Sequence, residues 1–409
     1  MPTVLLFSRQ PLTGRPLQEW LDRPEDAVLI TTPKAVAGAE DVLATSFPRH
    51  RLVDDYHGWT TEETAEQAAR AYGADLVAST SESDVLRAAR LRARLGLPGQ
   101  DVASATAYRD KVVMKETARA AGVRVPDFAA VDSPRDLLDF VDAHGLPVVV
   151  KPRFGAGAEG VAFLREPADV TAFFARERGS DVPYLPGQWM VESLAHGDFH
   201  HVDGIMRDGR VVHSWPSRYA GGLAERIRQD LHLGSVLLAP DAPATRALQR
   251  LAADVVAALP PAPHPLAFHL EAWVGPDGVP VLCEIASRAG GSLIAEQYGR
   301  AFGVHLAREG LRAQCGLPLT LTAQPAVPAR ATGHVLLPPG HGVFVPPAEP
   351  CPVSGVELKL LREAGTVGRG VESVTDAVAS VFAEADTMEE VESRLAEATE
   401  WWHHHTRWE

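Results

Sequence analysis

Glu271-Ala-Trp-Val-Gly-Pro-Asp-Gly-Val-Pro-Val-Leu-Cys-Glu284-Ile-Ala-Ser-Arg288-Ala-Gly-Gly291 is the stretch that decides how this chain is read. Its turn formers, Gly275 to Gly278, are flanked by short apolar runs, the pattern of a β-hairpin. Pairing Val274 with Val279 sets Glu271 opposite Leu282, with Glu284 two residues along on the same face. Pairing Gly275 with Pro280 sets Glu271 directly opposite Glu284. In both registers the two carboxylates share a face, where like charges repel. A divalent cation would offset that repulsion, and carboxylate oxygens suit Mg²⁺. The competing reading is two solvated glutamates on an exposed face.

Far upstream, Lys151-Pro-Arg-Phe-Gly155-Ala156-Gly157-Ala158-Glu-Gly160 follows a predicted strand over residues 147–150. A dinucleotide-binding glycine loop would open a helix, and a Walker loop would continue Gly-Lys-Ser/Thr. Here Gly160 leads into Val-Ala-Phe-Leu, a second strand. The segment is thus a strand–loop–strand flap whose backbone N–H groups can close over phosphates. A plain surface hairpin with glycine turns is the alternative. The 39 basic residues include only five lysines, Lys34, Lys111, Lys115, Lys151 and Lys359. In a chain that so favours arginine, each lysine is a candidate for work that needs a compact point charge. Lys151 stands beside the flap, and Lys111 falls in the first turn of a helix predicted over 110–122.

At 409 residues the chain exceeds one ordinary core, so two to four domains or lobes are expected. Hydrophobic content of 45% with 22% charged residues is that of a soluble globular protein. A net charge of −14 argues against nucleic acid or an anionic membrane as partner. Cys283, Cys315 and Cys351 are too few and too far apart for a disulfide framework or zinc site. The opening Met-Pro-Thr-Val-Leu-Leu-Phe reads as a first strand rather than a signal peptide, and a cytoplasmic protein is expected.

Residues 1–105 alternate strands, over 4–7, 27–30 and 76–78, with helices, which predicts a small open α/β domain. Ser81-Glu-Ser-Asp there reads as a helix start with an N-cap and acidic first turn. Expected boundaries follow at 106–187 for a small lobe with the flap, 188–325 for a large lobe with the carboxylates, and 326–409 for a C-terminal domain. A capping box at Thr387 opens a last helix, and the histidine run after Trp402 reads as a solvated tract.

The order Lys111, Lys151 with its flap, Glu192-Ser-Leu…Asp198, Glu271, then Glu284-x-x-x-Arg288-x-Gly-Gly291 resembles the ATP-grasp superfamily. More narrowly it is similar to the carboxylate–amine ligases, including bacterial L-amino-acid ligases. The resemblance runs from about residue 75 to 300. It implies an ATP-grasp fold of α/β class with an N-terminal open α/β domain and a small C-terminal α+β domain. It further implies ATP and Mg²⁺, with Mn²⁺ as a substitute. Lys111 and Lys151 would contact the α- and β-phosphates, and Gly155, Ala156, Gly157 and Ala158 would cover the β- and γ-phosphates. Backbone at Glu192, Ser193 and Leu194 would meet the adenine, and Asp198, where the family usually has Glu, would hold the ribose. Glu271 and Glu284 would be metal ligands. Arg288, with backbone N–H groups near Gly291, would serve the substrate carboxylate and the reaction oxyanion. The family often has Asn where this chain has Ala286, so water or Ser287 would have to replace that ligand. His269 reads as a core or supporting histidine, and the charged segment 225–232 as either acceptor-pocket lining or a solvated loop.

The implied reaction is ATP-dependent joining of a small-molecule carboxylate to an amine, at least one of them an amino acid, through an acyl phosphate. A homodimer is compatible with the resemblance. A kinase that only transfers the γ-phosphoryl group, and a non-catalytic ATP-binding protein, are the alternatives. Lys111→Arg and Lys151→Arg are each expected to lower ATP affinity at least about tenfold, or roughly 1.4 kcal/mol, as measured by equilibrium titration. Lys115, one helical turn from Lys111, is expected to tolerate arginine.

Overall fold

The computed structural model describes residues 2–178, 186–220, 233–321, 323–324, 327–371 and 376–409. The first strands, Val4–Phe7, Val28–Thr31, Arg49–Leu52 and Leu76–Ser79, are short and apart from the third almost wholly buried. They form a parallel sheet with Val4–Phe7 and Val28–Thr31 at its centre. Helices Thr60–Tyr72 and Val85–Leu95 both end on left-handed glycines, Gly73 and Gly96. Strand Arg49–Leu52, Arg-His-Arg-Leu, escapes sequence reading because it sits on the sheet edge and carries polar side chains.

A second sheet, antiparallel, joins Phe128–Val131, Trp189–Ser193, Val148–Pro152 and Ala162–Leu164 in that order. Val148 pairs with Leu164 and Val150 with Ala162, so residues 153–161 form the expected hairpin flap. Gly157 and Ala158 are both left-handed, with φ of 63° and 59°. Helix Pro134–His144 backs this sheet and starts with a capping box between Ser133 and Asp136.

The largest sheet has eight strands. From one edge they are Pro280–Ala286, Leu266–Val274, Asp198–Arg207, Arg210–Ala220, Leu233–Leu237, Ala331–Leu337, Ala379–Ala385 and Val356–Leu360. Strands Ala331–Leu337, Ala379–Ala385 and Val356–Leu360 therefore continue the same sheet that carries the two glutamates, while His341–Val345, Val367–Arg369 and Arg407–Trp408 form a small sheet of their own. Helix Pro243–Ala258 packs its Leu248, Leu251, Val255 and Val256 onto one face, together with Met114 and Ala118 of helix Lys111–Ala120. Helix Met388–His405 covers the far end through Val391, Leu395 and Trp402. The terminal histidines lie in its last turn, where cations suit the helix dipole. Among the described residues no helix is long and apolar enough to cross a membrane.

Candidate active site

The hairpin holds its carboxylates through a defect in the ladder. From the turn, Val274 pairs with Pro280, Trp273 with Val281 and Ala272 with Leu282. Continued unbroken, that register would set Cys283 against Glu271 and turn Glu284 to the opposite face. The register shifts beyond Ala272, as at a β-bulge with Cys283 the extra residue, and Glu271 lies directly across from Glu284. Neither expected register holds beside the turn, but beyond the bulge the pairing is the one the second of them gives, Glu271 directly opposite Glu284. Ligand atoms of Glu271, Cys283 and Glu284 lie within 4.8 Å of one another.

A bulge leaves backbone groups without ladder partners, and here a helix supplies them. Strand Pro280–Ala286 is a sheet edge, and helix Lys111–Ala120 packs along it. The Lys115 ammonium donates to the carbonyls of Cys283 at 2.7 Å and Leu282 at 3.2 Å. It is fully buried and lies 3.3 Å from Glu192 Oε2. Glu192 Oε1 in turn lies 2.6 Å from Lys151 Nζ. Burial pushes the Lys115 ammonium below its ordinary range, with Glu192 opposing. Burial alone would raise the Glu192 carboxyl, but the two lysines hold it below the carboxylate range. The expectation that Lys115 tolerates arginine is thus overturned: a planar fork has no room where one ammonium meets two carbonyls and a carboxylate.

These groups face a cleft of about 700 Å³ between the two antiparallel sheets. Lys111, Lys151, Gly155, Ala156, Gly157, Ala158, Glu192, Leu194, Asp198, Glu271, Glu284, Arg288 and Gly291 all line it. Ser193 does not line it, and its N–H is committed to the Asp127 carbonyl. Gly197 also lines the cleft, with φ of +126° and a Cβ position that would stand 2.3 Å from the Val274 carbonyl oxygen. Only glycine allows that approach. Lys111 Nζ donates to the flap carbonyl of Gly155 at 2.7 Å and lies 3.2 Å from Glu284 Oε2. Against the opposing effect of burial, Lys111 and Lys151 hold the Glu284 carboxyl down at about 2. Burial pushes the Cys283 thiol up, so a hard cation would find the two carboxylates rather than a thiolate.

Glu271 is braced from behind. Tyr219 donates its hydroxyl to Glu271 Oε1 at 2.9 Å, and His269 Nε2 lies 3.5 Å from the same oxygen. The buried Asp203 carboxylate holds His269 Nδ1 at 2.9 Å and also engages His201. Burial would lower His269, but Asp203 wins and pushes it up to about 10. His269 is therefore a buried support behind the Glu271 carboxylate. Ser287, offered as a stand-in for the missing asparagine, turns to Gln100 instead. Segment 225–232 lies outside the described residues.

Arg288 is not free to grip a substrate with its whole fork. Its Nε and Nη2 bind Glu82, the former at 2.9 Å, and Nη1 donates to the Ala289 carbonyl at 2.8 Å. Of five N–H groups, two remain for a ligand. Glu82 belongs to the 3₁₀ turn Glu82–Asp84 of the N-terminal domain and also binds Arg109, which holds the flap carbonyl of Phe154. The expected N-cap at Ser81 is not made, and helix Val85–Leu95 starts three residues later. Glu82, Arg109, Lys115 and Tyr219 were missed in the sequence. The one available signal was a lysine spaced one helical turn from Lys111.

Lys115→Met leaves the bulge carbonyls and Glu192 short of a partner and is expected to cost about 3–5 kcal/mol in denaturant unfolding. Glu82→Gln keeps the shape but loosens Arg288, and is expected to raise KM for the carboxylate substrate about tenfold, with KM for ATP little changed.

Comparison with known proteins agrees with this geometry. The family model for the carbamoyl-phosphate synthase L chain, ATP binding domain, matches residues 110–210. The chain is 24% identical over 327 residues to an L-arginine-specific L-amino acid ligase of Bacillus subtilis, covering 79% of this chain and 78% of that protein. The structure of an L-amino acid ligase from Bacillus licheniformis superposes with a TM-score of 0.72 at 15% identity, covering 100% of this chain and 99% of that one. A carboxyaminoimidazole ribonucleotide synthase from Aspergillus clavatus, complexed with ATP, also superposes with a TM-score of 0.72, at 16% identity over 98% and 99% of the two chains. The chain has the ATP-grasp fold and is, in sequence as in fold, carboxylate–amine ligase-like.

Proposed function

We propose that this protein is an ATP-dependent ligase that joins a small-molecule carboxylate to an amine and releases ADP and phosphate. The observation that carries this is the bulged pairing of Glu271 with Glu284, set in one cleft with Lys111, Lys151 and Arg288. The similarity to amino-acid ligases makes an amino acid the first choice for at least one substrate.

Glu271 and Glu284 would hold Mg²⁺, which when bound offsets phosphate charge. Lys111 and Lys151 supply compact positive charge beside the flap, held in place by Glu284 and Glu192. The two N–H groups left on Arg288 orient the carboxylate for in-line attack on the γ-phosphorus, with ADP leaving. The amine nitrogen then attacks the acyl carbon, the bond to phosphate breaks, and the amine gives up a proton. Arg288 and backbone N–H groups near Gly291 would stabilise the oxyanion. The flap, tied down at Phe154 and Gly155 by Arg109 and Lys111, keeps water from the acyl phosphate.

The test begins with ADP release and hydroxylamine trapping across a panel of L-amino acids. A carboxylate that gives a hydroxamate is then labelled with ¹⁸O, and one labelled oxygen should appear in inorganic phosphate. Phosphate without label, with a phosphorylated small molecule accumulating, would establish the kinase alternative. Glu284→Gln is expected to abolish ADP release in a protein whose circular dichroism and melting are those of a folded chain.

A further inference from the structure

The cleft lined by Arg288 is also lined by Gly291, Ser292 and His334. Ser292 has φ of +55°, a left-handed conformation that its Cβ disfavours. It stands directly after Gly290 and Gly291, where a third glycine would carry no strain. A strained residue retained at such a point directs attention to its side chain.

The Ser292 hydroxyl lies 3.2 Å from His334 Nε2, and His334 Nδ1 lies 2.6 Å from Gln297 Oε1. Gln297 Nε2 donates to the Thr332 carbonyl at 3.3 Å. A carbonyl oxygen only accepts, so the Gln297 NH₂ group faces Thr332 and its oxygen faces His334. His334 Nδ1 must then carry the ring proton, and Nε2 presents a lone pair. Burial pushes His334 down to about 3, which keeps the imidazole neutral and the tautomer fixed. The Ser292 hydroxyl therefore donates inward to Nε2, and its oxygen lone pairs are left for the cleft.

Building on the ligase reading, we propose that Ser292 accepts a hydrogen bond from the N–H of the incoming amine. His334 and Gln297 are positioning residues that keep the hydroxyl hydrogen turned away from that amine. An acceptor lining the same cleft as the two free N–H groups of Arg288 separates the two substrates by donor and acceptor: carboxylate at the guanidinium, primary amine at the serine.

The test measures KM for hydroxylamine, the carboxylate and ATP in the hydroxamate assay, alongside thermal melting. Ser292→Ala and Ser292→Gly should each raise KM for hydroxylamine about tenfold and leave the other two within about twofold. Ser292→Gly should melt at or above the wild-type temperature, because glycine relieves the left-handed strain. Gln297→Leu removes the group that fixes the tautomer and should raise KM for hydroxylamine in the same way. Hydroxamate formation by the wild type with unchanged hydroxylamine KM in Ser292→Gly overturns the amine subsite alone. No hydroxamate from the wild type with any carboxylate overturns the ligase reading and the subsite with it.

Discussion

A single buried ammonium underlies this site. Lys115 satisfies the two carbonyls exposed by the bulge and the carboxylate of Glu192 at once. The bulge sets Glu284 across from Glu271, and Glu192 fixes Lys151. The same helix carries Lys111 in its first turn and lends the Met114 sulfur to the Ile285 N–H. One ten-residue helix is thus linked to the strand of Glu284 and to both candidate phosphate-binding lysines. It also joins the small lobe, which holds Glu192, to the large sheet, which holds the bulge. Burying a charge so completely is tolerable only because every partner is in place.

A second ionic network reaches the cleft from the N-terminal domain. Glu82 binds Arg288 and Arg109, and burial alone would raise its carboxyl, yet the two guanidinium groups hold it low. Through Arg109 the same carboxylate is linked to the root of the flap at Phe154. The N-terminal domain, through Glu82, therefore sets the orientation of the group expected to meet the substrate. Lysines and arginines at 109, 111, 115, 151 and 288 face carboxylates at 82, 192, 271 and 284, so the charge is nearly balanced before any ligand arrives.

The strands after residue 326 belong to this picture as well. Three of them extend the large sheet, and from the first of these His334 reaches Ser292 in the cleft lining. Helix Met388–His405 meets the cleft wall through the ion pair of Glu392 with Arg218. The proposed amine subsite is thus assembled from segments far apart in the chain, and the expected nucleotide side mostly from residues 111–198.

What the sequence determined by itself is local or periodic. The turn formers at 275–278, the glycine flap after an apolar strand, the capping boxes and the scarcity of lysine all act within a few residues. It was the resemblance carried by the order of Lys111, Lys151, Glu271, Glu284 and Arg288 along the chain that put them in one expected site. Tertiary structure alone decided the rest. Whether Glu284 shares a face with Glu271 depends on one bulge residue, and the carbonyls there are met by a lysine some 170 residues away in the chain. Glu82 read as a helix start because its partner, Arg288, lies 206 residues on. Ser292 revealed its orientation only through a backbone angle and the proton inventory of two distant side chains. Side-chain partners across a fold are fixed by packing, and no spacing along the chain encodes them.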